Sequence, residues 1–192
     1  MKKRKNPIIK SKAFTLIELM VAVLIFSLIV TAVSGIFISG LKSQRRTLTY
    51  QKVLDQTSYV LEYMSRTLRM AKKDLTGICN ITPPKLNYEK TRAGEGLKFM
   101  NYKDECWEFF IENNQLKERR KIGTFEEETL NLTSGELKIT ALNFNLKGES
   151  QNDDDQPRVT FSLSAKGADF ISGQPDIKIQ TTISQRNLDV KY

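Results

Sequence analysis

The longest apolar run in the chain lies close to its N-terminus. Residues 19–41 form a stretch of 23 residues without a charged side chain. At about 1.5 Å of rise per residue, a helix of this length spans roughly 35 Å and can cross the hydrocarbon layer of a bilayer. The pattern therefore predicts a membrane-spanning helix.

Beyond residue 41 the helix is predicted to continue with an amphipathic pattern. Apolar or small residues recur at intervals of three and four, which is typical of a helix with one buried face; they are Val53, Thr57, Val60, Leu61, Met64, Leu68 and Ala71. Gly77 is a favourable helix stop, and Pro83 and Pro84 prevent the helix from resuming. We expect an apolar half over 14–41 and an amphipathic half over 42–76.

The remaining residues, 77–192, show the alternating pattern of β-strands. Residues 105–112 and 115–121 flank Asn113-Asn114, which predicts a hairpin. Further strands are predicted over 137–146, 158–165 and 176–184. We expect an α+β fold in which the long helix packs on an antiparallel sheet of four to six strands.

The charge distribution gives the membrane segment a direction. Residues 1–13 contain six lysines and arginines and no acid, so they supply +6 of the formal charge of +8. By the positive-inside tendency, this leader stays in the cytoplasm and residues 77–192 lie outside it. The basic pI is therefore mainly a topology signal, and no basic-aromatic patch marks a specific nucleic-acid site.

The chain has no histidine, which removes His-based acid–base catalysis, His triads and His metal ligands. No phosphate-binding loop or metal motif is present in the sequence either. We therefore expect no catalytic residue, no metal site and no cofactor.

Two residues at the start of the apolar run stand out. Glu18 is a carboxylate one helical turn after Phe14, where it is costly unless it meets a cation. The small residue Ala13 precedes the apolar run, whereas the cleavage site of a secretory signal follows it. A basic leader, Ala13 and the sequence Phe-Thr-Leu-Ile-Glu-Leu before a long apolar helix resemble the prepilin family. These are the precursors of type IV pilins and of type II secretion pseudopilins.

The resemblance implies that prepilin peptidase cuts between Ala13 and Phe14, removes residues 1–13 and methylates the Phe14 amine. The usual residue before the cut is Gly, so Ala13 departs from the pattern. The resemblance also implies that Glu18 pairs with the N-terminal amine of a neighbouring subunit. The attraction between the two charges is stronger in the apolar interior of a filament than in water. The implied partners are the peptidase, other pilin or pseudopilin subunits, an inner-membrane assembly platform and, before assembly, membrane lipid.

Several features leave two interpretations open. Cys79 and Cys106 are expected to form a disulfide in an oxidising compartment, and the alternative is two buried thiols. A stripe of Ser27, Thr31 and Ser34 either contacts a neighbouring helix or bonds back to its own helix.

Three charged runs are interpreted as solvated surface. The acidic clusters 126–128 and 153–155 are expected to be solvated loops, and the alternative is calcium binding through carboxylates, as in some pseudopilins. The Asp run 153–155 lacks the spacing and the glycine of an EF-hand calcium loop. The run 117–121 is expected to be a solvated strand face and not a nucleic-acid site.

The function expected from the sequence is that of a structural subunit of a type IV pilus or type II secretion pseudopilus. Residues 59–71 and 181–187 are similar to J-type minor pseudopilins, which favours a minor subunit. Two alternatives are a membrane-tethered binding module that does not polymerise and a signal-anchored enzyme.

Overall fold

The computed structural model describes residues 14–75, 77, 79, 86–122, 126–148, 155–168 and 176–187. The chain divides into two units, Met1–Arg46 and Thr47–Tyr192. Helix α1, Leu16–Arg69, contributes residues to both. Among the features predicted from the sequence, the leader 1–13, Pro83, Pro84 and residues 153–154 lie outside the described part.

In the first unit, the described residues are all exposed, including the apolar ones. The exposed apolar side chains extend from Phe14 through Leu41. Helix α1 is long and apolar enough to cross a membrane. The predicted long apolar helix at the N-terminus is therefore confirmed.

In the second unit, α1 buries one face. The buried positions recur at the helical period, as the sequence pattern predicted; they are Val53, Thr57, Val60, Met64 and Leu68. Ala71 is buried just beyond the helix, and Leu61 is partly buried against the same core. The predicted buried face is confirmed.

The helix ends at Arg69, seven residues before the predicted end at 76. Its last carbonyl groups are bound by distant residues: the Arg186 N–H donates to the Arg69 oxygen at 2.7 Å, and the Tyr88 hydroxyl to the Leu68 oxygen at 2.8 Å. Gln185 Nε2 donates to the Ala71 oxygen at 2.9 Å. These bonds give partners to carbonyl groups that have none within the helix, so the helix can end before residue 76.

Eight strands are described, and all of their pairings are antiparallel. A five-stranded sheet has the order β1-β2-β3-β4-β5, and a three-stranded sheet has the order β6-β7-β8. The bounds are β1 Tyr88–Thr91, β2 Gly96–Met100, β3 Cys106–Glu112, β4 Gln115–Ile122, β5 Glu126–Asn131, β6 Leu137–Lys147, β7 Arg158–Gly167 and β8 Ile177–Ser184.

The prediction of one sheet of four to six strands was wrong. Two of the missed strands, β1 and β2, are short and lack a clean alternation of exposed and buried residues. The third, β5, contains the acidic cluster 126–128 that was expected to be a loop. Glu127 and Glu128 lie directly opposite Lys121 and Arg120 of β4, and opposite charges at such positions stabilise strand pairing.

The predicted hairpin between β3 and β4 is confirmed. Glu112 pairs with Gln115, which leaves Asn113 and Asn114 as the two turn residues. Both have positive φ, 54° and 60°. Asn tolerates this left-handed conformation, which a two-residue turn of this kind requires.

One hydrophobic core joins α1 to both sheets. Phe99 and Phe109 of the five-stranded sheet lie 5.4 Å apart between ring centroids, and Phe144 and Phe161 of the three-stranded sheet lie 6.1 Å apart. These residues belong to the same cluster as Leu68 and its neighbours on the helix. The fold is α+β, as predicted.

Replacing Leu68 by Ala should lower the free energy of unfolding by about 3 kcal/mol, because Leu68 is 0% exposed and its loss leaves a cavity. Leu54→Ala removes the same atoms from a position that is 37% exposed, so it should cost less than about 1 kcal/mol. Urea unfolding of the full chain in bilayer discs measures both variants. Equal losses would contradict the burial pattern.

Candidate functional site

The N-terminal end of α1 is capped by Thr15. The Glu18 backbone N–H donates to Thr15 Oγ1 at 3.3 Å, and the helix begins at the next residue, Leu16. Phe14 precedes the cap and is 80% exposed. Ala13 lies outside the described residues. The end of the helix that carries the predicted cleavage position is therefore ordered by a local hydrogen bond.

Glu18 occupies the third position of the helix, within its first turn. A carboxylate there interacts favourably with the helix dipole, and Thr15 with Glu18 matches the Thr-x-x-Glu spacing of a capping box. Sequence reasoning overlooked this spacing, although it is present in the printed sequence. Among the described residues, Glu18 forms no ion pair and is exposed, so its carboxylate is accessible to a partner.

The stripe of small hydroxyl residues bonds to its own helix. Ser27, Thr31 and Ser34 each donate to the carbonyl oxygen four residues earlier, at 2.8 Å. This is the second of the two interpretations left open by the sequence. The three hydroxyl groups therefore have their hydrogen-bond partners within the helix.

A disulfide joins Cys79 to Cys106 at the start of β3, with 5.1 Å between the Cα atoms. Both cysteines are buried beside Met100. The Asp74 carboxylate accepts hydrogen bonds from the N–H groups of Gly77, at 2.7 Å, and Cys79, at 3.0 Å. These contacts attach the segment after α1 to the five-stranded sheet.

A polar network connects α1 to β4. The Tyr63 hydroxyl donates to Glu118 Oε2 at 2.7 Å, and Arg120 Nη2 lies 3.1 Å from the same hydroxyl. Arg120 also pairs with the fully buried Glu118 and lies 4.5 Å from the Trp107 ring centroid. The expectation that residues 117–121 form a solvated face was therefore wrong for Glu118, which the sheet and helix enclose.

The network shifts two ionisation equilibria. Burial, assisted by the hydrogen bond to Glu118, raises the pKa of Tyr63 from 10.0 to about 12. The hydrogen bond with Glu118 raises the pKa of Arg120 above its ordinary value. Tyr63 therefore remains a neutral donor and Arg120 a cation at neutral pH, which keeps the buried Glu118 compensated.

The described residues contain no cluster of three or more metal-ligating side chains of the His, Cys, Asp and Glu type. Asp155, the last residue of the second acidic cluster, lies 3.9 Å from Lys147. The side chains of Glu127 and Glu128 are exposed on β5.

Comparison with protein families gives a match at the N-terminus. Residues 9–34 match the family described as the prokaryotic N-terminal methylation motif. The chain carries a prepilin-type methylation motif. The matched segment includes Ala13, Phe14 and Glu18 and continues into the exposed apolar part of α1.

The motif supports a subunit of the type IV pilin or pseudopilin kind, and proteins with such motifs are structural. It does not distinguish the J-type from other subunits. A comparison with curated proteins found no relative that matches the chain. The motif and the exposed apolar helix together fit membrane anchoring.

Tyr63→Phe should make the stability of the protein less sensitive to alkaline pH. The folded protein holds the Tyr63 proton to about pH 12, whereas the unfolded chain releases it near pH 10.0. The contribution is therefore complete below pH 10 and is lost as the pH rises from about 10 to about 12. Urea unfolding across this interval should show a shallower decline for Tyr63→Phe than for wild type or the exposed control Tyr59→Phe. Equal slopes in all three proteins would contradict the assignment.

Proposed function

We propose that the protein is a structural subunit, of the minor class, in a type IV pilus or type II secretion pseudopilus. The observation that carries the proposal is the methylation motif over 9–34, which leads directly into a helix with exposed apolar side chains. A filament subunit needs this combination because its helix is held first by lipid and later by other helices.

In the first stage the precursor is a single-pass protein of the cytoplasmic membrane. Residues 1–13 stay in the cytoplasm, and the β-rich part lies on the other side. Prepilin peptidase hydrolyses the peptide bond between Ala13 and Phe14 with one water molecule, which leaves a carboxylate on Ala13 and frees the Phe14 amine. A sulfonium methyl donor then transfers its methyl group to that amine, which loses one proton. Methylation retains the positive charge at the membrane edge.

In the second stage the mature subunit enters the filament through α1, with the inner-membrane platform and other subunits as partners. Glu18 of the incoming subunit pairs with the methylated amine of a neighbour. An unpaired carboxylate is costly in an apolar environment, and two unit charges about 4 Å apart attract by roughly 4 kcal/mol at an effective dielectric constant of 20. The pair therefore favours one axial register over its neighbours.

The apolar half of α1 has features that favour close helix packing. Its hydroxyl side chains are satisfied by backbone carbonyls, so they require no lipid or water partner. Gly35 and Gly40 have nothing within 4 Å of the position that a Cβ would occupy. Small residues of this kind allow another helix to approach closely. The minor-subunit assignment is supported by the likeness of residues 59–71 and 181–187 to J-type pseudopilins.

Ala13→Leu should block maturation, because the peptidase site is expected to accept only a small residue before the cut. Ala13→Gly restores the usual family residue and should be processed at least as fast as wild type. The fraction of shortened chain in cells that contain prepilin peptidase measures both variants. Efficient shortening of the Leu variant would contradict cleavage at this position.

Glu18→Ala should leave maturation intact but reduce incorporation into filaments at least tenfold, because the register pair is lost. Asp55→Ala, which removes an exposed carboxylate farther along α1, should assemble like wild type. Immunoblotting of sheared filaments against the total mature protein measures incorporation. Normal incorporation of the Glu18 variant would exclude the pairing role.

A further inference from the structure

A groove lies on the second unit between the exposed side of α1 and Tyr102 and Trp107 of the part that follows the helix. Its volume is about 510 Å³, and four of the eight residues that line it are aromatic. The aromatic residues are Tyr59, Tyr63, Tyr102 and Trp107, and Met70 also lines the groove. Tyr59 and Tyr102 are 62% and 48% exposed, so a large part of the aromatic surface faces solvent.

The walls of the groove are held in place by contacts beneath them. Tyr63 is anchored through its hydroxyl to Glu118, and its ring stacks on Tyr59 at 6.2 Å between centroids. Trp107 lies against Arg120, and its Nε1 donates to Glu105 at 3.1 Å. A ligand would therefore meet aromatic surfaces that are already ordered, which reduces the entropy lost on binding.

A second, smaller cavity of about 310 Å³ adjoins the groove and shares Glu62, Arg66 and Met70 with it. Arg69 and Arg186 complete its cationic rim. The Arg186 N–H donates to the Arg69 carbonyl oxygen at 2.7 Å, which fixes the two residues beside each other.

The rim has an excess of positive charge. Glu62 is bound to Arg66 at 2.7 Å. Within the described part of the chain, the guanidinium groups of Arg69 and Arg186 have no carboxylate partner. The surface thus combines an aromatic groove with two adjacent guanidinium groups that can accept carboxylates from outside.

We propose that this surface binds a segment of a partner protein in which a large apolar side chain lies next to carboxylates. The apolar side chain enters the aromatic groove, and the carboxylates bind Arg69 and Arg186. Aromatic residues and arginine dominate the binding energy of protein interfaces, and a planar guanidinium matches a carboxylate with two parallel hydrogen bonds. This inference is independent of the proposed filament role.

The only tryptophan of the chain, Trp107, lines the groove and reports its occupancy by fluorescence. The probe is the peptide acetyl-Phe-Leu-Glu-Asp-amide, titrated against the full chain in phosphatidylcholine discs. The matched control is acetyl-Phe-Leu-Gln-Asn-amide, which has the same shape without the charges. We expect a saturable change in Trp107 fluorescence with the acidic peptide and at least tenfold weaker binding of the control.

Variants separate the two halves of the surface. Arg69→Gln with Arg186→Gln should remove the difference between the peptides, and Tyr59→Ser should weaken both. Both arginine side chains are exposed, so the double variant should keep its fold, which thermal unfolding checks. Arg158→Gln, an exposed arginine on β7, is the control and should behave like wild type.

Three outcomes would overturn the proposal. The first is equal binding of both peptides by wild type, or no saturable response to either. The second is a Trp107 change that depends on protein concentration alone, which would assign the groove to a second copy of the chain. The third is a response to phosphatidylglycerol vesicles without a response to the acidic peptide, which would assign the arginines to lipid phosphate.

Discussion

The apolar surface of α1 in the first unit must be kept from water, and this constraint governs how the protein can exist. The described residues there are all exposed, so the fold of a single chain does not cover them. A bilayer can cover them, and so can a bundle of equivalent helices. The methylation motif, residues 9–34, overlaps this apolar surface. The motif and the exposed apolar side chains therefore belong to the same segment of the chain.

In the second unit, the apolar face of α1 is covered by other parts of the same chain. One face of α1 is buried by two antiparallel sheets, and the helix end is completed by Arg186, Gln185 and Tyr88. The disulfide between Cys79 and Cys106 then attaches the segment after the helix to the five-stranded sheet. The two halves of α1 thus have different partners. The apolar half is available for anchoring, and the amphipathic half is part of the folded second unit.

Local patterns were sufficient to predict the apolar helix, its buried face and the hairpin at Asn113-Asn114, because periodicity and turn chemistry are short-range properties. The end of α1 could not be predicted, since the residues that bind its last carbonyl groups come from other parts of the chain: Tyr88 lies 20 residues from Leu68, and Arg186, which follows the last strand, binds Arg69. Burial of Glu118 was missed for the same reason: its enclosure depends on Tyr63 of a distant helix. The Thr15 cap, in contrast, was visible as Thr-x-x-Glu spacing and was overlooked. The methylation motif could be predicted because its residues are contiguous.

The central claim is that the chain is processed as a prepilin. Intact-mass measurement with N-terminal sequencing of the membrane-extracted protein, from cells with and without prepilin peptidase, tests it most directly. The account predicts a chain that begins at Phe14 and carries one added methyl group only when the peptidase is present. A chain that begins at Met1 in both kinds of cell would contradict it and favour a membrane-tethered protein that does not assemble.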